Sequence, residues 1–150
     1  MQIANVLKPS MVKLGVESRT KEELFEEMVQ LFVENGLIPD RSAAVKALLE
    51  REAKMSTGIA PGFALPHGKL EGIRGVVMAL GVLREGIDFE SLDDEPVYVV
   101  LVLFSEAGNP GPHIEALSEV GRLLQVPGFI HKLQNAKSAE EVLAIIRAEE

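Results

Sequence analysis

His67 stands between Pro66 and Gly68, at the end of a segment punctuated by Gly58, Pro61 and Gly62. Glycine permits close backbone approach and proline fixes φ, so residues 56–68 read as a rigid support that presents one imidazole. An imidazole can serve as a covalent nucleophile, dividing one group transfer into two easier steps. A second histidine, His113, follows the turn-rich stretch 105–112 and opens a run at helical spacing, Ile114, Leu117, Gly121 and Leu124. Pro112 suits the first helical position, which puts His113 in the first turn. A helix N-terminus attracts anions and lowers the pKa of a nearby imidazole, favouring a neutral ring that can accept a hydrogen bond or orient a second ring. Arg51 lies towards the end of another predicted helix, close in sequence to the His67 segment, and offers a guanidinium. His131, among Ile130, Lys132 and Leu133, has no turn chemistry around it and reads as structural or exposed.

Taken singly, each residue has an ordinary reading. Arg51 would be a solvated helix residue paired with a neighbouring Glu for about 0.2–0.5 kcal/mol, and His113 an unremarked first-turn residue. Brought together, a nucleophilic imidazole, a neutral second ring, a helix N-terminus and a guanidinium make a site for a phosphoryl group carried on histidine. Phosphoryl transfer chiefly requires positioning and charge stabilisation, and this scheme calls for no metal and no cofactor. The group adds roughly −1.5 to −2 charges to a chain whose net charge is already −8. Screening over about 8 Å mutes the distant carboxylates. Arg51 and the helix end act at contact distance, the latter for roughly 0.3–1 kcal/mol. A metal-dependent hydrolase built on His67 and His113 fits poorly, because no carboxylate stands at recognisable ligand spacing to either.

Positioning these groups requires a scaffold, and the apolar periodicity supplies one. Thr20 with Glu23 three residues on has the form of a capping box, followed by Leu24, Phe25, Met28, Leu31 and Phe32 at helical spacing and a stop at Asn35-Gly36. A second helix begins near Asp40, carries Ala44, Val45, Leu48 and Leu49, runs through Arg51 and ends before Gly58. Residues 76–83 and 97–104 are apolar without alternation, which suits central strands covered on both faces. Later helices are expected from Pro112 to Pro127-Gly128, through Phe129, Ile130 and Leu133, and from Ser138 with Glu141, again a capping box. Residues 12–16 could add a short edge strand. Two leading helices, central strands and closing helices are solved by a sheet between helical layers, a three-layer α/β/α sandwich.

Composition bounds the rest. At 150 residues, 47% hydrophobic and 25% charged, residues 1–150 fit one domain. The absence of cysteine excludes disulfides, thiolate nucleophiles and thiolate metal sites within the chain. The apolar runs are too short to span a bilayer and no basic-then-apolar leader opens the chain, so a cytoplasmic location is expected. The acidic balance, with no basic stripe or aromatic platform, argues against nucleic acid.

In combination and order, Arg51-Glu52, Ser56-Thr57-Gly58-Ile59, Ala64-Leu65-Pro66-His67-Gly68, Ile87-Asp88-Phe89, Pro96-Val97 and His113 with Leu117 resemble the enzyme IIA components of the bacterial phosphoenolpyruvate-dependent sugar phosphotransferase system, in the class covering fructose, mannitol and nitrogen-regulatory members. The resemblance implies an α/β sandwich with a mixed central sheet. It implies that His67 is phosphorylated by the histidine phosphocarrier protein HPr or its nitrogen-pathway counterpart, that His113 tunes or stabilises the phosphohistidine, and that Arg51 supplies positive charge. Ser56, Thr57 and Gly68 match neighbours of the site without an assigned step. Pro61 stands where family members often carry a polar residue or glycine, which bears on partner recognition. Sugar-transporting relatives are commonly joined to a IIB domain that takes the phosphoryl group on cysteine. A cysteine-free chain must pass it to another protein or keep it. Two functions are therefore expected, with a lean to the first: a stand-alone nitrogen-regulatory carrier whose phosphorylation state changes what it binds, or a sugar-uptake carrier serving a separate IIB protein. Either docks its donor briefly, through a small apolar patch near the His67 segment to which Phe63 and Leu65 could contribute, though the core is their more ordinary place.

Overall fold

The computed structural model describes residues 1–150. The chain runs α1 (Ile3–Val6), a 3-10 turn (Pro9–Met11), β1 (Val12–Lys13), α2 (Lys21–Glu34), α3 (Arg41–Lys54), β2 (Phe63–Ala64), β3 (His67–Leu70), β4 (Val76–Ile87), β5 (Val97–Glu106), α4 (Pro110–Leu123), α5 (Phe129–Gln134) and α6 (Ala139–Glu149). Both capping boxes form at their amino-terminal oxygens: Thr20 Oγ1 accepts from Glu23 N and Ser138 Oγ from Glu141 N. The reciprocal half differs from the expected pattern in the same way twice. Glu23 accepts from Arg19 N and Glu141 from Lys137 N, one residue before each cap, satisfying an extra donor ahead of the helix. Asp40 caps α3 through Ala43 N.

The two apolar runs form the long antiparallel pair β4·β5, from Val76↔Ser105 to Ile87↔Val97 with an irregularity after Val82. β1 adds to β4 in parallel, with Val12 opposite Leu80. On the other side of β5 two short strands lie end to end and parallel to it, β2 with Phe63 opposite Val99 and β3 with His67 opposite Leu103. The sheet is therefore mixed and five-stranded. α2 and α3 cover one face, where Phe32 meets Phe104 edge-on with ring centres 5.1 Å apart. The remaining helices cover the other, where Leu80 and Leu101 meet Ile3, Val120, Leu123, Phe129 and Ile146. That double cover is why residues 97–104 carry no polar alternation. No helix is long and apolar enough to cross a membrane.

Three expectations need correction. β2 and β3 break up what reads as one continuous loop from Ser56 to Gly68; their pairing partner lies more than thirty residues away in β5, so periodicity over two and four residues carries no signal. α4 starts at Pro110, not Pro112, so His113 sits at the end of its first turn. The helix ends at Leu123, before Pro127-Gly128.

Candidate functional site

His67 opens β3, and strand alternation decides what its ring faces. Gly68 points at α3, where an added Cβ would stand 3.0 Å from Ala47 Cβ, so only glycine lets the strand lie this close. His67, one residue earlier, points to the opposite layer, towards the start of α4. There the His67 and His113 rings meet with centres 5.5 Å apart and planes inclined by 52°. Arg51 reaches round the edge strand from the last turns of α3. Its Nε donates to His67 Nε2 at 3.2 Å and its Nη1 to the Met55 carbonyl at 2.8 Å. The three residues singled out from the sequence converge; His131, exposed and beside Asn135 on α5, is elsewhere.

The partners of His67 fix its tautomer. Nδ1 lies 2.8 Å from the Leu65 carbonyl, which can only accept. The guanidinium at Nε2 can only donate. The proton is therefore on Nδ1, and Nε2 carries an unshared pair beside a positive charge. Burial is the main cause lowering the His67 pKa below its usual 6.5, and the Arg51 charge adds to it, while the Leu65 carbonyl and Glu52 pull the other way. The neutral ring, with Nε2 unprotonated, is therefore favoured at neutral pH.

His113 is held from behind. Its Nδ1 shares a hydrogen bond with Ser105 Oγ, whose residue is fully buried near the end of β5. A buried hydroxyl with this one partner directs its proton at Nδ1, which leaves His113 Nε2 as the protonated donor. Its pKa is lowered first by burial, then by the His67 ring and Lys69. The expected direction holds but the cause differs: one full turn into α4, the ring is governed by burial and its neighbours.

Behind Arg51, Glu52 is buried at 8% exposure, accepting from Thr57 N at 3.0 Å and Thr57 Oγ1 at 2.6 Å, with Lys21 Nζ at 3.2 Å. Lys21 also lies over the Phe89 ring, 4.7 Å from its centre. Ser56 Oγ accepts from Gly58 N at 3.1 Å, tightening the same turn. The connection after β4 packs on it too: Phe89 is buried against Phe25, and Ser91 presses on Gly58, where an added Cβ would come within 2.7 Å of Ser91 Cβ. Phe63 and Leu65 are core residues, 2% and 4% exposed, so neither joins a docking patch. The exposed apolar side chains adjoining site residues are Met55, Ile59, Leu92 and Ile114. No three His, Asp or Glu side chains group to hold a metal ion. Together these groups can receive a tetrahedral anion on His67 Nε2, with Arg51 and His113 Nε2–H placed to bind its oxygens.

Residues 5–149 match the family described as phosphoenolpyruvate-dependent sugar phosphotransferase system, EIIA 2. The chain belongs to this family. It is 36% identical over 146 residues to the fructose-specific EIIABC component of Bacillus subtilis, covering 97% of this chain but 23% of that much longer protein. It is 31% identical over 144 residues to a fructose-specific EIIA component of Haloferax volcanii, covering 96% and 94% of the two chains. The crystal structure of the nitrogen regulatory protein IIA-Ntr from Neisseria meningitidis superposes with a TM-score of 0.88 at 31% identity, over 96% of this chain and 98% of that one. The superposition shows that the chain shares the fold of this EIIA structure, the mixed α/β architecture that the resemblance implied. Sequence reasoning passed over three members of the site. Glu52, beside an arginine on a helix, reads as solvated; Ser105 is absorbed in the turn-rich stretch that follows the strand; and Ser91 is hidden in an acidic connection. Two signals were present: Glu52 stands in the Arg51-Glu52 element of the family resemblance, and Ser105 is the small polar residue directly after the unbroken apolar run 97–104.

Proposed function

We propose that this enzyme IIA carries a phosphoryl group on Nε2 of His67, taken from a phosphohistidine of HPr or its nitrogen-pathway counterpart. The observation that carries the reading is the tautomer: Nδ1–H is spent on Leu65 O and the Nε2 pair faces Arg51, with His113 beside it. In the transfer, that pair forms a bond to phosphorus as the donor's nitrogen–phosphorus bond breaks in line, and its electrons return to the donor ring, which leaves as neutral imidazole. His67 keeps its Nδ1 proton and becomes cationic; the Leu65 carbonyl stabilises that charge. Arg51 and His113 Nε2–H donate to the phosphoryl oxygens, whose charge peaks in the loose transition state. Met55, Ile59 and Ile114 give the brief donor complex its apolar contact.

The nitrogen-regulatory reading comes first, supported by the close superposition on IIA-Ntr along nearly both chains. Sugar uptake, with onward transfer to a cysteine of a IIB protein, is the second reading; the identities of 36% and 31% to fructose-specific components favour it. Incubation with phosphoenolpyruvate, enzyme I and HPr, followed by intact-mass analysis, tests the carrier. One acid-labile, base-stable phosphoryl group is expected, absent in His67→Ala; full labelling of that variant would refute the assignment. Adding a purified fructose-type IIB protein then separates the two roles: rapid loss of the label to its cysteine supports uptake, and retention supports regulation.

A further inference from the structure

We propose that Glu52 is a positioning residue for His67, acting through Thr57 and Leu65 to hold the imidazole in the tautomer that exposes Nε2; this rests on the phosphoryl-carrier reading above. The links form an unbroken path. Glu52 takes both the backbone N–H and the hydroxyl of Thr57, a residue 1% exposed. The Thr57 carbonyl accepts from Leu65 N at 2.9 Å, closing the intervening loop at its base. The Leu65 carbonyl accepts from His67 Nδ1 at 2.8 Å. Every link is a hydrogen bond of ordinary length, and three of the four residues on the path are less than 9% exposed.

Stability alone is a poor account of this carboxylate. A buried ion pair such as Glu52–Lys21 is weakly stabilising at best, and an apolar pair of similar volume commonly does as well or better. What an apolar residue could not do is take two hydrogen bonds from Thr57 and so dictate where the Leu65 carbonyl points. The position of Glu52 on α3 adds a second argument. It directly follows Arg51, and successive helical side chains diverge by about 100°. One turn of α3 therefore grips the same imidazole twice, at Nε2 directly through Arg51 and at Nδ1 indirectly through Glu52.

The test uses Glu52→Gln, Thr57→Val and Thr57→Ser. Two readouts are taken: the initial rate of His67 labelling by phosphoenolpyruvate, enzyme I and HPr, and the nitrogen-15 shifts of the two His67 ring nitrogens in unphosphorylated protein. Glu52→Gln should slow labelling about 10–100-fold, as displacement of a reacting group by an ångström does, and move the ring nitrogen shifts towards the average of two tautomers. Thr57→Val should do the same to a smaller extent, and Thr57→Ser, which restores the hydroxyl, should match the wild type. A folded Glu52→Gln with wild-type rate and wild-type shifts overturns the proposal. If that variant does not fold, wild-type behaviour of Thr57→Val overturns it alone. Should the wild type take no phosphoryl group on His67, the carrier reading fails, while the ring shifts, which need no phosphate, still decide the positioning role.

Discussion

Near their C-terminal ends α3 and α4 each set an arginine close to a glutamate, Arg51 with Glu52 and Arg122 with Glu119, and the two pairs are used differently. On α4, Glu119 and Arg122 are three apart and bond to each other at 2.6 and 2.7 Å, Arg122 reaching on to the Glu149 carbonyl. Arg122 is the main cause holding the Glu119 carboxyl at about 2, and the same contact raises the Arg122 pKa. On α3, Arg51 and Glu52 are adjacent, so they face different directions and cannot pair. Arg51 reaches the imidazole and Glu52 reaches Thr57 and Lys21. Spacing decides whether opposite charges satisfy one another along a helix or are left to organise the structure around them. The α3 arrangement places a cation at the His67 nitrogen; the α4 arrangement ties down a surface turn.

Breaking the α3 side should have the larger consequence. Arg51→Ala removes the donor at Nε2 and is expected to slow His67 labelling about 100-fold, the usual cost of one donor to a developing charge. The melting temperature should move little, because Arg51 spends its other hydrogen bond on a helix-end carbonyl. An unchanged labelling rate would reduce Arg51 to an ordinary helix residue. His113→Ala comes next: labelling should persist at a reduced rate, less impaired than in Arg51→Ala, with a shorter-lived phosphohistidine followed by intact mass. A phosphoryl group of wild-type lifetime in that variant would show that the second ring is a bystander.

Much of this contrast was open to a reader of the chain, and its limits are physical. His67 stood out because turn residues bracket it, Arg51 and His113 gained their place from the family resemblance over their ordinary helix readings, and β4 and β5 were readable because cover on both faces leaves long unbroken apolar runs. Glu52 was not, since a glutamate after an arginine on a helix looks solvated until tertiary contact with Lys21 and Thr57 buries it. β3 was hidden because the pairing that makes it a strand comes from β5. The start of α4 was misplaced by two residues because Pro110 and Pro112 both satisfy the rule for a first helical position.

Acidification sharpens the comparison further. Between pH 7 and 5 the Glu119 carboxyl, held at about 2, stays ionised and the α4 pair is unaltered. The imidazoles of His67 and His113 have folded pKa values below the ordinary 6.5. Around pH 6 the unfolded chain therefore binds protons that the folded chain does not, and stability rises with pH there. Their contribution is fully present above about 6.5 and is lost as the pH falls towards the folded values. Melting curves should show the wild type losing stability on acidification more steeply than a His67→Gln, His113→Gln double variant; equal slopes would mean that neither ring is held neutral by the fold. Labelling should likewise fall off on acidification at a lower pH than an ordinary imidazole would dictate, since the fold holds the His67 ring below its usual 6.5.

Arg122→Ala should have the smallest effect. It cuts both bonds to Glu119 and the one to Glu149, yet these lie on the surface, where a charge pair gains little over its hydration and is screened by salt. Glu119 regains water and its carboxyl returns towards the ordinary range, a change confined to strongly acid solution. The melting temperature should shift by no more than about 2 °C at neutral pH, and His67 labelling should equal the wild type. A strong effect on labelling would mean that the end of α4 communicates with His113 along the helix, and that the two helix ends are less independent than their spacing implies. A silent Arg122→Ala beside a crippled Arg51→Ala would instead tie the consequence of an arginine here to the partner its helix position leaves within reach.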